Sequence, residues 1–248
     1  MLRTVAESTE SSLLDTVLEG ASLVSTLVVS STLFEVAASV QREFGPAAEG
    51  MGAPGTVLEG KRCHFLITGV GQAACGVHLS RTLARRPYDR VIQAGIAGSF
   101  SPEVAIGSVV VVGEEAFGDL GAEDNGSFLD LFDMGLLKRG ASPFSDQLLV
   151  APIIELPILA RLPRVRSVTV NRVLSEARSI AWIRDRYAPQ VVNMEGAAFF
   201  YAALLEQVPF VSLRAISDSV GPRDRSAWKI PEAISALDGV LAKVIEEW

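Results

Sequence analysis

Two cysteines and two histidines in 248 residues set the first limits on this chain. Cys63 and Cys75 fall in a strand-like and a helix-like stretch, which excludes a disulfide framework and fits a reducing, cytoplasmic setting. His64 and His78 belong to no Cys/His group with metal-ligand spacing, so the sequence supports neither a metal site nor a cofactor. A serine-hydrolase reading would need one of these histidines together with a Gly-x-Ser-x-Gly elbow, and no such elbow accompanies them. Positive charge is scarce as well. Lys and Arg number 22 against 29 Asp and Glu, a net charge of -7, which argues against a nucleic acid or an anionic membrane as partner. Residues 1–22 carry Glu7, Glu10, Asp15 and Glu19 and lack a basic region followed by a long apolar run, which excludes an ordinary secretory signal.

What is abundant is apolar surface. Hydrophobic residues make up 49% of the chain, enough for a large core, and strand-like and helix-like stretches alternate, which predicts one α/β domain. Residues 1–22 read as an N-terminal extension, with Leu13, Leu14, Val17 and Leu18 at helical spacing. Residues 23–248 read as the domain proper. Leu23 to Ser31 is its first buried strand, and Thr32-Leu33-Phe34-Glu35 starts a helix at that strand's carboxyl end. Gly45 to Gly60 reads as a loop. Arg62 to Thr68, Arg90 to Ala94, Ile106 to Val112 and Val165 to Val173 read as further strands.

The stretch Val191 to Asp218 organises the rest. It reads as a strand end, a helix opening at Glu195-Gly196-Ala197-Ala198, a stop at Pro209, and a strand Phe210 to Ile216 with Ser217-Asp218 at its carboxyl end. Glu195 falls in the helix's first turn, where free backbone N–H groups favour a carboxylate. Glu35, Glu195 and Asp218 thus share the rim of a sheet at which ligands of open α/β sheets bind. Gly69-Val70-Gly71 is a glycine turn between strand and helix, but its third glycine is displaced from Gly-x-Gly-x-x-Gly, so a dinucleotide site is the weaker reading. Gly95-Ile96-Ala97-Gly98-Ser99 is a run of small residues that lets a ligand approach the backbone. By composition, Phe117 to Asp124 is an acidic, glycine-rich surface loop.

Asn-Met-Glu-Gly-Ala-Ala at 193–198, Val-Pro-Phe at 208–210 and Arg-Ala-Ile-Ser-Asp at 214–218 resemble the purine nucleoside phosphorylase and nucleosidase superfamily. The resemblance implies a three-layer α/β/α sandwich around a central mixed β-sheet, a purine nucleoside as ligand, and a homodimer or higher homo-oligomer. It also implies that Met194 and Glu195 bind ribose, that Asp218 faces the purine and that Glu35 activates water. Phosphorylases of the superfamily tend to present an arginine after the first strand to hold phosphate. No arginine occurs between Ser22 and Gln41, which favours hydrolysis. Val70, Ala97, Gly98, Val173, Ser217, Trp228 and Thr32 complete the expected substrate-binding set, and Ile96 takes the place of a serine found in many nucleosidases.

Phe117 to Asp124, Leu131 to Leu136, Met194 to Tyr201 and Arg223 to Trp228 are similar to the futalosine-hydrolysing branch of menaquinone biosynthesis. This makes futalosine the expected substrate and hypoxanthine the released base. Methylthioadenosine/S-adenosylhomocysteine cleavage, phosphorolysis and a non-catalytic nucleoside-binding module are the alternatives. Futalosine carries an aryl carboxylate beyond its ribose, for which Arg223, Arg225 and Arg172 are candidate partners.

Overall fold

A computed structural model describes residues 25–46, 50–222 and 224–248. The extension 1–22 and Arg223 therefore lie outside the described residues. Strand β1 (Thr26–Ser30) is buried along its whole length and runs parallel to both neighbours, β3 (His64–Ile67) and β4 (Arg90–Ser99). A continuous β-branched run suits such a strand because both of its faces are covered. Leu27 and Val29 point to a core shared with α2 (Gln72–Arg85) and α4 (Gly196–Leu205). Val28 points the other way, to a core covered by α1 (Ala37–Phe44) and α5 (Ile230–Glu247). The period-2 alternation of strands thus generates the three layers, and the fold is the expected α/β sandwich. No helix among the described residues is long and apolar enough to cross a membrane.

The remaining strands of the large sheet are β2 (Thr56–Glu59), β5 (Val109–Phe117), β8 (Leu149–Val150), β9 (Arg164–Thr169), β10 (Val191–Asn193) and β11 (Phe210–Ser219). They give the order β10-β9-β5-β11-β4-β1-β3-β2, with β8 on β5. Strand β10 also pairs with β4, antiparallel, at Val191–Ser99 and Val192–Gly98. The sheet therefore closes into a ring through β4, β11, β5, β9 and β10. Strand β4 serves both halves: residues 90–93 pair with β1, and residues 98 and 99 pair with β10. Between them, at Gly95 to Ala97, β4 has lost β1 and has not yet met β10, and the sheet opens a seam.

Three segments differ from the sequence reading. The loop expected over Gly45 to Gly60 contains β2, a short edge strand antiparallel to β3. The small-residue run after Ala94 continues β4 to Ser99, paired along β11. Glycines lower strand propensity, but a Cβ at Gly95 would collide with Arg214 Nη1, so the strand needs glycine there. The acidic loop is a hairpin, β6 (Gly121–Asp124) with β7 (Ser127–Asp130), turned by Asn125 and Gly126, both at positive φ. Helix α3 (Ala177–Tyr187) buries Ile180 and Ile183 against Val168 and Val170.

Candidate active site

The seam in β4 opens onto a cleft of about 350 Å³. Its walls bring together all three rim carboxylates, Glu35, Glu195 and Asp218, with Thr32, Val70, Ala97 and Gly98. Val173, Met194, Ser217 and Trp228 line it too, so every residue of the expected set faces one space. A larger groove of about 530 Å³, between β5 and residues 151–164, has only Glu155 and Arg164 as ionisable lining and lacks a carboxylate pair for acid–base work.

Glu35 sits in the 3-10 turn Leu33–Val36 just after β1, and its side chain is turned inward and buried. Its Oε2 accepts from the Thr32 N–H at 3.0 Å, the Thr32 hydroxyl at 3.0 Å, the Ser30 hydroxyl at 3.2 Å and the Ser31 hydroxyl. The Thr32 contact is one half of a capping box, so local sequence positions the carboxylate. Oε1 accepts from the Ile96 N–H at 3.1 Å. That N–H is available because the seam leaves Ile96 without a strand on that side. The missing serine hydroxyl at residue 96 is thus immaterial to Glu35, which residue 96 holds through its backbone N–H.

Glu195 is the N-cap of α4, with φ -133, and the helix begins one residue later than its sequence suggests. Its Oε1 accepts from the Gly71 N–H at 2.9 Å. Gly69 and Gly71 have φ of +84 and +94, left-handed conformations that glycine adopts without penalty. The glycine turn therefore aims a backbone donor at the carboxylate. Burial pushes the Glu195 carboxyl up, against the pull of the Arg214 guanidinium and the Gly71 N–H. The favourable helix end foreseen from sequence is outweighed by desolvation.

Asp218 lies inside β11, beyond a register shift between Ile216 and Asp218. Such a bulge re-aims side chains, and here Ser217 and Asp218 both reach the cleft. The Ser217 hydroxyl donates to Asp218 Oδ1 at 2.6 Å. Burial raises the Asp218 carboxyl above its ordinary value and the Ser217 bond only partly offsets this, a direction that suits a carboxyl group holding a proton.

Behind the cleft lies a buried polar cluster that the sequence reading did not assign. Asn193 Oδ1 accepts from the Glu195 N–H at 2.8 Å, the Gly196 N–H, Arg214 Nη2 at 3.3 Å and the Thr169 hydroxyl at 3.3 Å. Its Nδ2 donates to Glu115 Oε2 at 2.9 Å and Ser167 Oγ at 2.8 Å. Glu115 is fully buried in β5 and Arg214 is buried in β11, and a charged residue adjoining an apolar run within a buried strand is the signal that could have found them. Of the three arginines expected to meet a carboxylate, Arg172 lines the cleft and Arg225 is exposed in the 3-10 turn Arg225–Ala227. Arg223 is outside the described residues.

A three-layer sandwich whose seam gathers three carboxylates on an apolar cleft defines a class built to handle the sugar–base bond of nucleosides. The chain belongs to the phosphorylase superfamily, whose pattern matches residues 27–246. Within it, the chain is 37% identical to the futalosine hydrolase of Streptomyces coelicolor, over 86% of this chain and 96% of that one. It is 31% identical to the futalosine hydrolase of Thermus thermophilus, over 77% and 84%. Among solved structures, the 5'-methylthioadenosine/S-adenosylhomocysteine nucleosidase of Neisseria meningitidis in complex with methylthio-immucillin-A superposes with a TM-score of 0.73 at 19% identity, covering 91% of this chain and 100% of that one.

Proposed function

We propose that this protein is a nucleosidase that hydrolyses the N-ribosidic bond of futalosine, releasing hypoxanthine and dehypoxanthine futalosine for menaquinone biosynthesis. The convergence of Glu35, Glu195 and Asp218 on one cleft supports the reaction, and the likeness to futalosine hydrolases over most of the chain supports the substrate. Breaking the bond builds positive charge on the sugar and negative charge on the departing base. Water between Glu35 and the anomeric carbon gives its proton to the Glu35 carboxylate as its oxygen bonds to that carbon. The electron pair of the carbon–nitrogen bond leaves on the purine, whose imidazole-ring nitrogen takes the proton of Asp218. Ionised Glu195 accepts from the ribose hydroxyls and opposes the charge on the sugar. One carboxyl group thus serves the leaving group and another serves water, as in glycoside hydrolysis.

A binding module without catalysis would not require a buried Glu35 held by five donors. Arg172 is the cationic side chain on the cleft wall, and the segment from β1 to Gln41, which carries Glu35, holds no arginine of its own to take up a phosphate, which supports water over phosphate as nucleophile. The buried, free thiols of Cys63 and Cys75 support a reducing cytoplasmic setting. Exposed Phe34 and Val70 at the cleft mouth support a second subunit there, in a homodimer or larger assembly of the 23–248 domain. Release of free base from futalosine by the purified protein is expected to be equal with and without phosphate. A phosphate requirement with a sugar 1-phosphate as product would overturn hydrolysis. The apolar walls at Val70, Met194 and Val173 also suit a thioether, so cleavage of methylthioadenosine in preference to futalosine would replace the substrate assignment.

A further inference from the structure

We propose that Glu115 is a positioning residue for ribose recognition: through the Asn193 amide it fixes both the turn that presents Glu195 and the Arg214 guanidinium behind the cleft. Glu115 is fully buried in the middle of β5, 78 residues from Asn193 in sequence, and does not line the cleft. Its Oε2 accepts from Asn193 Nδ2 at 2.9 Å and its Oε1 from the Ala116 N–H at 3.2 Å. An amide side chain has two ends of opposite character. With Nδ2 drawn to Glu115 and Ser167, Oδ1 is left for the Glu195 and Gly196 N–H groups and for Arg214 Nη2. The opposite orientation would set an NH2 group against three N–H donors at the start of α4 and on Arg214, leaving buried donors unpaired.

The backbone is shaped around this contact. A Cβ at Gly196 would collide with Glu115 Oε2 and with Asn193 Nδ2, so glycine at the first residue of α4 lets the carboxylate approach the helix. The charged group facing Glu115 is the Arg214 guanidinium, which also acts on Glu195. Arg214 in turn reaches the seam: the position of a Cβ at Gly95 is shared by Arg214 Nη1 and, at 3.1 Å, by Glu35 Oε1. The donors to Glu115 approach both of its oxygens, a demand that a carboxylate meets and a glutamine, with one acceptor, does not.

The assignment of ribose to Glu195 rests on the proposed function, so the test reads binding without turnover. The affinities of Glu115→Gln for free hypoxanthine and for a C-nucleoside, whose carbon–carbon link to the base cannot be hydrolysed, would be measured by calorimetry. The base is expected to bind within about twofold of wild type, because Asp218 and Gly98 lie outside the network. The nucleoside is expected to bind about ten- to a hundredfold more weakly, the range for losing a hydrogen bond that involves a charged group. Asn193→Ala combined with Glu115→Gln is expected to be no worse than Asn193→Ala alone, since the two act in series. Equal weakening of base and nucleoside, no weakening of either, or multiplying losses in the double variant would overturn the inference. A wild-type protein that binds the C-nucleoside yet releases no base from a nucleoside would overturn the reaction alone.

Discussion

Glu35 and Asp218 are held in contrasting ways. Five hydrogen bonds converge on Glu35, whereas Asp218 accepts from the Ser217 hydroxyl and sits half-buried in the cleft wall. Glu35→Gln and Asp218→Asn preserve size and remove the ability to take or give a proton. Each is expected to lower turnover by about 10²–10⁴-fold with little change in affinity for the free base. Single-turnover base release beside calorimetry would check this, and near wild-type turnover in either variant would remove that residue's assigned role. Arg172→Ala addresses the substrate. If Arg172 meets the aryl carboxylate of futalosine, its loss lowers kcat/KM for futalosine about ten- to a hundredfold and leaves inosine, which lacks that group, unchanged. Equal losses on the two nucleosides would exclude Arg172 from carboxylate recognition.

At the scale of elements, legibility followed locality. Strand β11, helix α4 and the glycine turn were readable because their signals, Pro209, Gly196-Ala197-Ala198 and Gly69-Val70-Gly71, lie within a few residues of what they specify. The eleven expected site residues lie on those elements and on β4, the 3-10 turn after β1 and the loops after β9 and β11. The continuation of β4 through Gly95 was not readable, since the reason for glycine there is an arginine 119 positions later in sequence. Glu115 and Arg214 escaped for the same reason: their partners belong to other strands. The glycine turn offers a test at this scale. Space around Gly71 is open, with nothing within 4 Å of a Cβ, so Gly71→Ala is penalised by backbone conformation alone: φ of 94 with ψ of 162 is a region that glycine alone adopts readily, at a cost of roughly 1–3 kcal/mol. The expected result is a Tm lower by about 2–12 °C and a raised KM, as the N–H that holds Glu195 is displaced. An unchanged Tm and KM would show that the turn tolerates a side chain.

For the whole molecule, the buried acids tie stability to pH. Burial pushes Glu115 up to about 7 from an ordinary 4.5. Below the unfolded value both states hold the proton. Between about 4.5 and 7 only the folded state does, so the contribution of Glu115 to stability falls as pH rises through that window and is constant above it. Glu195 and Asp218, also raised by burial, act with the same sign. The clean measure is therefore the difference between wild type and Glu115→Gln in urea midpoints from pH 5 to pH 8, which is expected to move in favour of the variant up to about pH 7 and then level off. A difference independent of pH would place the Glu115 carboxyl at its ordinary value.

The pairing of β10 with β4 bears on the company this molecule keeps. A sheet that bends round to meet itself has no open flank along that side, and among the described residues what is left of this sheet for another strand to join is short: the two residues of β8, and β2, four residues long with Glu59 paired to Arg86 across its end. Such edges are poor templates for strands from other chains. Among the described residues the large sheet therefore offers little backbone for a strand of another copy to extend. Any contact between copies through these described edges would fall to side chains, whose shape and chemistry can limit the number of partners.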